Sequence, residues 1–178
     1  FADAIECAPV DDDTNYTVLA AQLIEKYGRD FTPADVGRIW LDLQPKAAYC
    51  TAERVAFKNL VNGYQPPETA VYKNPYREWI GAQIRADIWG WTNPGEPENA
   101  AAMAYADAEV SHVKNGAYGE MFFAALLAAA FVLDDIDELI GIGLSEIPAE
   151  CRLAEAIQDV VLWSKESSDW EQTFARIK

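Results

Sequence analysis

The sequence predicts an all-α fold, a compact multi-helix orthogonal bundle, from three observations. Apolar residues recur at three- and four-residue spacing in segment after segment, and residues that start and stop helices punctuate those segments. No stretch shows sustained strand alternation, hairpin dipeptides or a repeat of roughly 20 to 50 residues. A composition of 51% hydrophobic and 24% charged residues over 178 positions suits one domain with a real core.

Tyr16 to Tyr27 carries Val18, Leu19, Leu23 and Ile24 at helical spacing and stops at Gly28. Thr32, Pro33 and Asp35 signal the next start, and Val36, Ile39, Trp40 and Leu43 form its apolar stripe up to Pro45. Thr51, just ahead of Glu53, opens a third helix to about Asn62, with Gly63 past its end. Tyr64 to Pro75, rich in Pro, Asn and Tyr, reads as the longest loop, a length that is often functional. Tyr76 to Trp91 returns to helical character. The turn Asn93, Pro94, Gly95, Glu96, Pro97 then starts an Ala-rich helix through about Val110, whose small residues permit close packing. After the polar interruption Ser111 to Gly116, a long apolar helix spans about Tyr118 to Val132. Roughly Ile136 to Gly143, Ala149 to Ser164 and Asp169 to Lys178 are again helical.

A net charge of −15, from 29 acids against 14 bases, argues against an electrostatic footprint for nucleic acid or an anionic membrane. An anionic substrate therefore needs a bound metal or helix N-termini to hold it. Cys7, Cys50 and Cys151 are few, odd in number and far apart, which argues for a reducing compartment, the cytoplasm, and against a disulfide framework. The most apolar stretch, Ala117 to Leu133, contains Gly119 and Glu120 and is shorter than the ~20 residues a bilayer needs, so it reads as a core helix. There is no signal-peptide pattern, and the missing initiator Met suggests a fragment or processed chain.

Asp11, Asp12 and Asp13, followed by Thr14, sit directly before the first helix. Two unit charges ~6 Å apart at an effective dielectric of ~20 repel by roughly 3 kcal/mol, which a hard divalent cation relieves. Carboxylate and hydroxyl oxygens suit Mg²⁺, Mn²⁺ or Ca²⁺ rather than zinc. The same residues also fit an acidic helix start, in which Asp13 or Thr14 accepts from free amides and the other acids favour the positive end of the dipole.

His112, the one histidine, lies between two helices predicted to be buried, where loop backbone groups need partners; a surface turn histidine is the plain alternative. Gly81, Gln83, Arg85 and Asp87 alternate through an aromatic segment with Trp79, Trp89 and Trp91. Arg85 and Asp87 are not an i, i+4 pair, so one of them faces inward, either toward a phosphate or over a Trp. Asp134, Asp135, Asp137 and Glu138 read as dipole-favoured acids at a helix start. The six Trp and eight Tyr serve either an adenine-stacking cleft or the core.

Taken in order, Asp11 to Thr17, Tyr76 to Asp87 (YREWIGAQIRAD), Asn93 to Glu98 (NPGEPE) and Asp107 to Phe123 (DAEVSHVKNGAYGEMFF) resemble the ADP-ribosylglycohydrolase family over nearly the whole chain. The resemblance implies an all-α domain that hydrolyses the glycosidic bond joining ADP-ribose to an acceptor, with a pair of Mg²⁺ ions. It implies Asp12 and Asp13 as catalytic metal ligands, and Asp11 as a further metal ligand standing where the family has a hydroxyl residue. It implies substrate contacts from Gly81, Gln83 and Arg85 in a stretch whose family glycines are thinned out. It also implies contacts from Ser111 and His112 and from the turn and helix start Gly116, Tyr118 and Gly119. The partner implied is ADP-ribose or an ADP-ribosylated substrate.

The family's glycine-rich first helix with its acid, and its C-terminal aspartate, threonine, aspartate run, have no counterpart here. Residues 1–178 therefore look like the middle of a larger domain, incomplete for catalysis on its own. A non-catalytic module that binds ADP-ribose or a protein, and a crystallin-like structural protein, are the other classes.

Overall fold

The computed structural model describes residues 11–167 and 169–177; Cys7 lies outside them. Among the described residues there are helices and turns but no strand. In order these are α1 (Asp12–Tyr27), α2 (Pro33–Leu43), α3 (Thr51–Val61), α4 (Glu68–Val71), α5 (Asp87–Trp91) and α6 (Pro97–Ala108). α7 (Asn115–Ala129), α8 (Ile136–Ser145), α9 (Arg152–Glu166) and α10 (Trp170–Ile177) follow, with 3₁₀ segments at Lys46–Ala48 and Ile80–Arg85.

Helix starts follow local chemistry. Thr32 and Asp35 form a reciprocal cap on α2, with Thr32 N and Oγ1 donating to Asp35 Oδ2 at 3.0 and 2.6 Å, and Pro33 follows at the first helical position. Asp135 accepts from Glu138 N at 3.0 Å, so the second acidic run is indeed a capped helix start.

α7 organises the fold. It is apolar on nearly every side, as a helix surrounded by protein must be, and packs on α5, α6, α8, α9 and the Ile80–Arg85 segment. Ala100, Ala104 and Ala108 of α6 and Ala124, Ala125 and Ala128 of α7 are fully buried, and such small side chains bring the axes close. Gly90 serves the same purpose, since a Cβ there would collide with Leu127. The main core joins Leu19 and Leu23 of α1, Val36, Ile39 and Trp40 of α2, Tyr49, and Phe57 and Leu60 of α3 to Trp89. Trp40 and Phe57 sit on either side of Tyr49, with ring centroids 4.8 and 5.0 Å away.

Two segments differ from their sequence expectation. Tyr64 to Pro75 contains the one-turn α4 and is pinned from within. Asn59 Nδ2 donates to the carbonyls of Thr69 and Tyr72, both at 2.8 Å, and Asn74 Nδ2 to those of Ala52 and Ser111 at 3.1 and 3.2 Å. Buried amides here replace the hydrogen bonds that a helix would supply to its own backbone. Tyr76 to Trp91 is not one α-helix but turns, the 3₁₀ segment and α5. In a 3₁₀ segment residues i and i+3 share a face. Ala82 and Arg85 are accordingly both buried, while Gly81 and Ile84 face a cleft.

Candidate active site

The N-terminus of α1, the start of α3 and the 3₁₀ segment enclose a cleft of about 300 Å³. Asp12, Asp13 and Tyr16 form one wall, Cys50, Thr51 and Glu53 a second, and Trp79, Ile80, Gly81 and Ile84 the third. Thr51 sits there at φ 30°, a left-handed value that is costly for a β-branched residue. Gly81 has a steric reason: a Cβ would collide with the Glu53 carboxylate.

Asp11 is the N-cap of α1, its Oδ1 accepting from Thr14 N at 2.8 Å and from Thr14 Oγ1 at 2.7 Å. The cap is thus Asp11 rather than Asp13 or Thr14. These two bonds hold the Asp11 carboxyl below its usual pKa. It does not line the cleft, whereas Asp12 and Asp13 do. Their carboxylate oxygens are hard donors that fit Mg²⁺ in kind. In number they do not complete a site: among the described residues no three His, Cys, Asp or Glu side chains come together as a metal cage.

Beneath the cleft is a buried ionic cluster centred on Arg85, which is 2% exposed. Its Nε donates to Asp107 Oδ2 at 2.8 Å, its Nη1 to Ser111 Oγ at 3.0 Å, and its Nη2 to the Asp107 carbonyl at 3.1 Å and Glu120 Oε2 at 3.4 Å. Glu53 Oε1 stands 3.7 Å from Nη1. The guanidinium also lies over the rings of Trp40 and Tyr16, at 5.1 and 5.5 Å from their centroids.

One cation therefore faces three carboxyl groups, an excess of negative charge that burial does not tolerate. Burial, then the neighbouring Asp107, pushes the Glu120 carboxyl well above its usual pKa; its Oε1 accepts from Trp89 Nε1 at 2.9 Å. Burial also raises Glu53, against the pull of Arg85. Burial opposes the charge on Arg85 itself, but Asp107, Glu120 and Glu53 together outweigh it and hold its pKa above the usual value.

His112 is 1% exposed, and burial followed by repulsion from Arg85 lowers its pKa to about 3. Its ring is neutral at pH 7. Nδ1 lies 2.8 Å from Ser111 Oγ, whose lone pair already accepts from Arg85. The Ser111 proton is then free for Nδ1, which leaves the ring proton on Nε2. Neither His112 Nε2 nor Glu53 Oε1 has a hydrogen-bond partner, although they are 4.0 Å apart.

Asp12, Asp13 and Gly81 thus meet at the cleft, and Arg85, Ser111 and His112 form the layer below it. Gln83, Gly116, Tyr118 and Gly119 belong to the packing around α7. A Cβ on Gly119 would meet Gln83 Cγ at 2.6 Å, and one on Gly116 would meet the Arg77 carbonyl at 2.7 Å. Tyr118 packs beside the cluster of Phe122, Ile147 and Ala154.

A family model, ADP-ribosylglycohydrolase, matches residues 4–177. The chain belongs to the ADP-ribosylglycohydrolase family. Searches of curated proteins and of solved structures found no match. Membership in the ADP-ribosylglycohydrolase family implies a hydrolase of glycosidic type acting on ADP-ribosylated substrates, in a family that is typically metal-dependent. No helix among the described residues is long and apolar enough to cross a membrane.

Sequence reasoning missed Glu53, Asp107 and Glu120 as members of this arrangement, while Trp79 is one of the six Trp weighed for a stacking cleft. Glu53 carried a misleading signal, because an acid in the first turn of a helix is ordinarily solvated, yet it is 2% exposed. Glu120 alone left a legible trace, as the acid inside an apolar helix.

Proposed function

We propose that the cleft receives the ribose and adjoining phosphate of an ADP-ribosylated substrate, and that the protein cleaves the glycosidic bond to the acceptor in a Mg²⁺-dependent reaction. The observation that carries this reading is the meeting of Asp12 and Asp13 with Trp79 and Gly81 around one cleft of about 300 Å³. That volume lies at the small end of ligand pockets and suits a sugar with part of its diphosphate better than a whole nucleotide. Trp79, 53% exposed at the rim, offers a ring face to the base or acceptor.

Asp12 and Asp13 would hold the cations. When bound, divalent ions supply charge neutralisation for the diphosphate and electrophilic assistance at the sugar oxygens. The chain's own acids favour the positive charge that develops at the anomeric carbon as the bond breaks. Arg85 acts as the fixed counter-ion below the cleft, and Ser111 and His112 hold its position. Sparse cysteines, with Cys50 and Cys151 unpaired, support a cytoplasmic setting.

Release of ADP-ribose from a mono-ADP-ribosylated protein is the direct test. The protein with Asp12→Ala and Asp13→Ala loses Mg²⁺-dependent turnover; unchanged turnover overturns the reading. The short donor set among the described residues favours a second reading, a module that binds ADP-ribose with little turnover. Calorimetry with ADP-ribose, with and without Mg²⁺, separates the two: metal-independent binding without turnover supports the module, and the absence of both points to a structural protein.

A further inference from the structure

We propose that Glu53 is a ligand-binding residue of the cleft, its Oε1 accepting a hydrogen bond from a sugar hydroxyl whose oxygen in turn accepts from His112 Nε2. Glu53 lines the cleft at 2% exposure, and its Oε1 is a buried acceptor with no hydrogen-bond partner. His112 Nε2 is a buried donor equally without one. A native fold seldom leaves one such atom unsatisfied. Here an acceptor and a donor of opposite need stand 4.0 Å apart, too far to satisfy each other and near enough for a single oxygen to satisfy both. A hydroxyl, which donates once and accepts twice, has the matching chemistry.

The surroundings hold both atoms in place. Arg85 Nη1 stands 3.7 Å from Glu53 Oε1, and through Ser111 the same guanidinium sets the His112 tautomer. The Glu53 carboxylate fills the place that a Cβ on Gly81 would take, so the glycine fixes its position against the 3₁₀ segment.

The choice of a ribose hydroxyl rests on the ADP-ribose reading above, so the test uses two probes, D-ribose and ADP-ribose, titrated by calorimetry. Glu53→Met removes the acceptor at nearly the same length, and Glu53→Asp keeps the charge beside Arg85 while drawing the oxygen back by one methylene. Circular dichroism and thermal melting accompany both. The expected result is binding of both probes to the wild type, weakened about tenfold or more in both variants with the fold retained. Unchanged affinity in folded variants overturns the proposal and leaves the ADP-ribose reading standing. Binding of D-ribose that depends on Glu53, without binding of ADP-ribose, supports the hydroxyl site and removes the ADP-ribose reading. Binding of neither probe to the wild type overturns both, and loss of fold in both variants makes Glu53 a structural counter-ion and overturns the proposal.

Discussion

Arg85 Nε donates to Asp107 Oδ2 at 2.8 Å with the two side chains only 2% and 6% exposed, which joins the 3₁₀ segment to the end of α6 by a buried ion pair. Removing the cation leaves three carboxyl groups facing one another in the core. Arg85→Met, close in length and apolar, should therefore destabilise the fold by roughly 3–5 kcal/mol, the range for breaking a buried pair on one side. Urea denaturation measures it, and a loss under about 1 kcal/mol would mean that the carboxyl groups reach solvent in the folded state.

Glu120→Gln should be nearly neutral below the unfolded carboxyl pKa of about 4.3 and more stable than the wild type at pH 7, since an amide resembles the protonated carboxyl that burial favours and takes up no proton on folding. The sign of its pH effect follows from a folded-state pKa raised above the unfolded value. The stabilising contribution of Glu120 is full below the unfolded pKa and is lost as pH rises through the folded one. Wild-type stability should thus fall on the alkaline side more steeply than that of Glu120→Gln. Denaturation curves taken upward from the unfolded carboxyl pKa of about 4.3 read this window, and the difference between the two proteins cancels the His112 contribution they share. Parallel pH profiles for the two proteins would refute it.

His112 titrates in the opposite sense. Its pKa is lowered to about 3 in the fold, so its contribution is intact above the unfolded value of about 6.5 and is lost as pH falls from there toward 3. Because it is the only histidine, its ring NMR signals can be followed without ambiguity. They should remain those of a neutral Nε2–H tautomer down to about pH 5, and a midpoint near 6.5 would show that the ring meets water.

The acids before α1 divide their duties. Asp11→Ala removes the acceptor for Thr14 N and Oγ1, so it should lower Tm more than Asp13→Ala, whose side chain makes no capping bond. Conversely, Asp13→Ala should weaken Mg²⁺ binding more than Asp11→Ala. Thermal melting and Mg²⁺ calorimetry on the two variants check the division, and equal effects on both readouts would abolish it.

The sequence alone determined the helical class, the order of the helices and most of their ends. The stripe of Val36, Ile39 and Trp40, the Thr32–Asp35 cap and the Asp135 start are local patterns, set by a period of 3.6 residues and by orphan amides, and local physics suffices to read them. The likeness of Asp107 to Phe123 to a family was equally legible, because it lies in residue order. Tertiary structure decided the rest. It converted the Tyr76 to Trp91 stretch into a 3₁₀ segment with Arg85 turned inward, buried Glu53 where a helix start usually meets water, and brought Asp12 to the same cleft as Trp79. Those outcomes depend on charges and orphan polar atoms far apart in the chain, and no local period encodes which of them will share one desolvated volume.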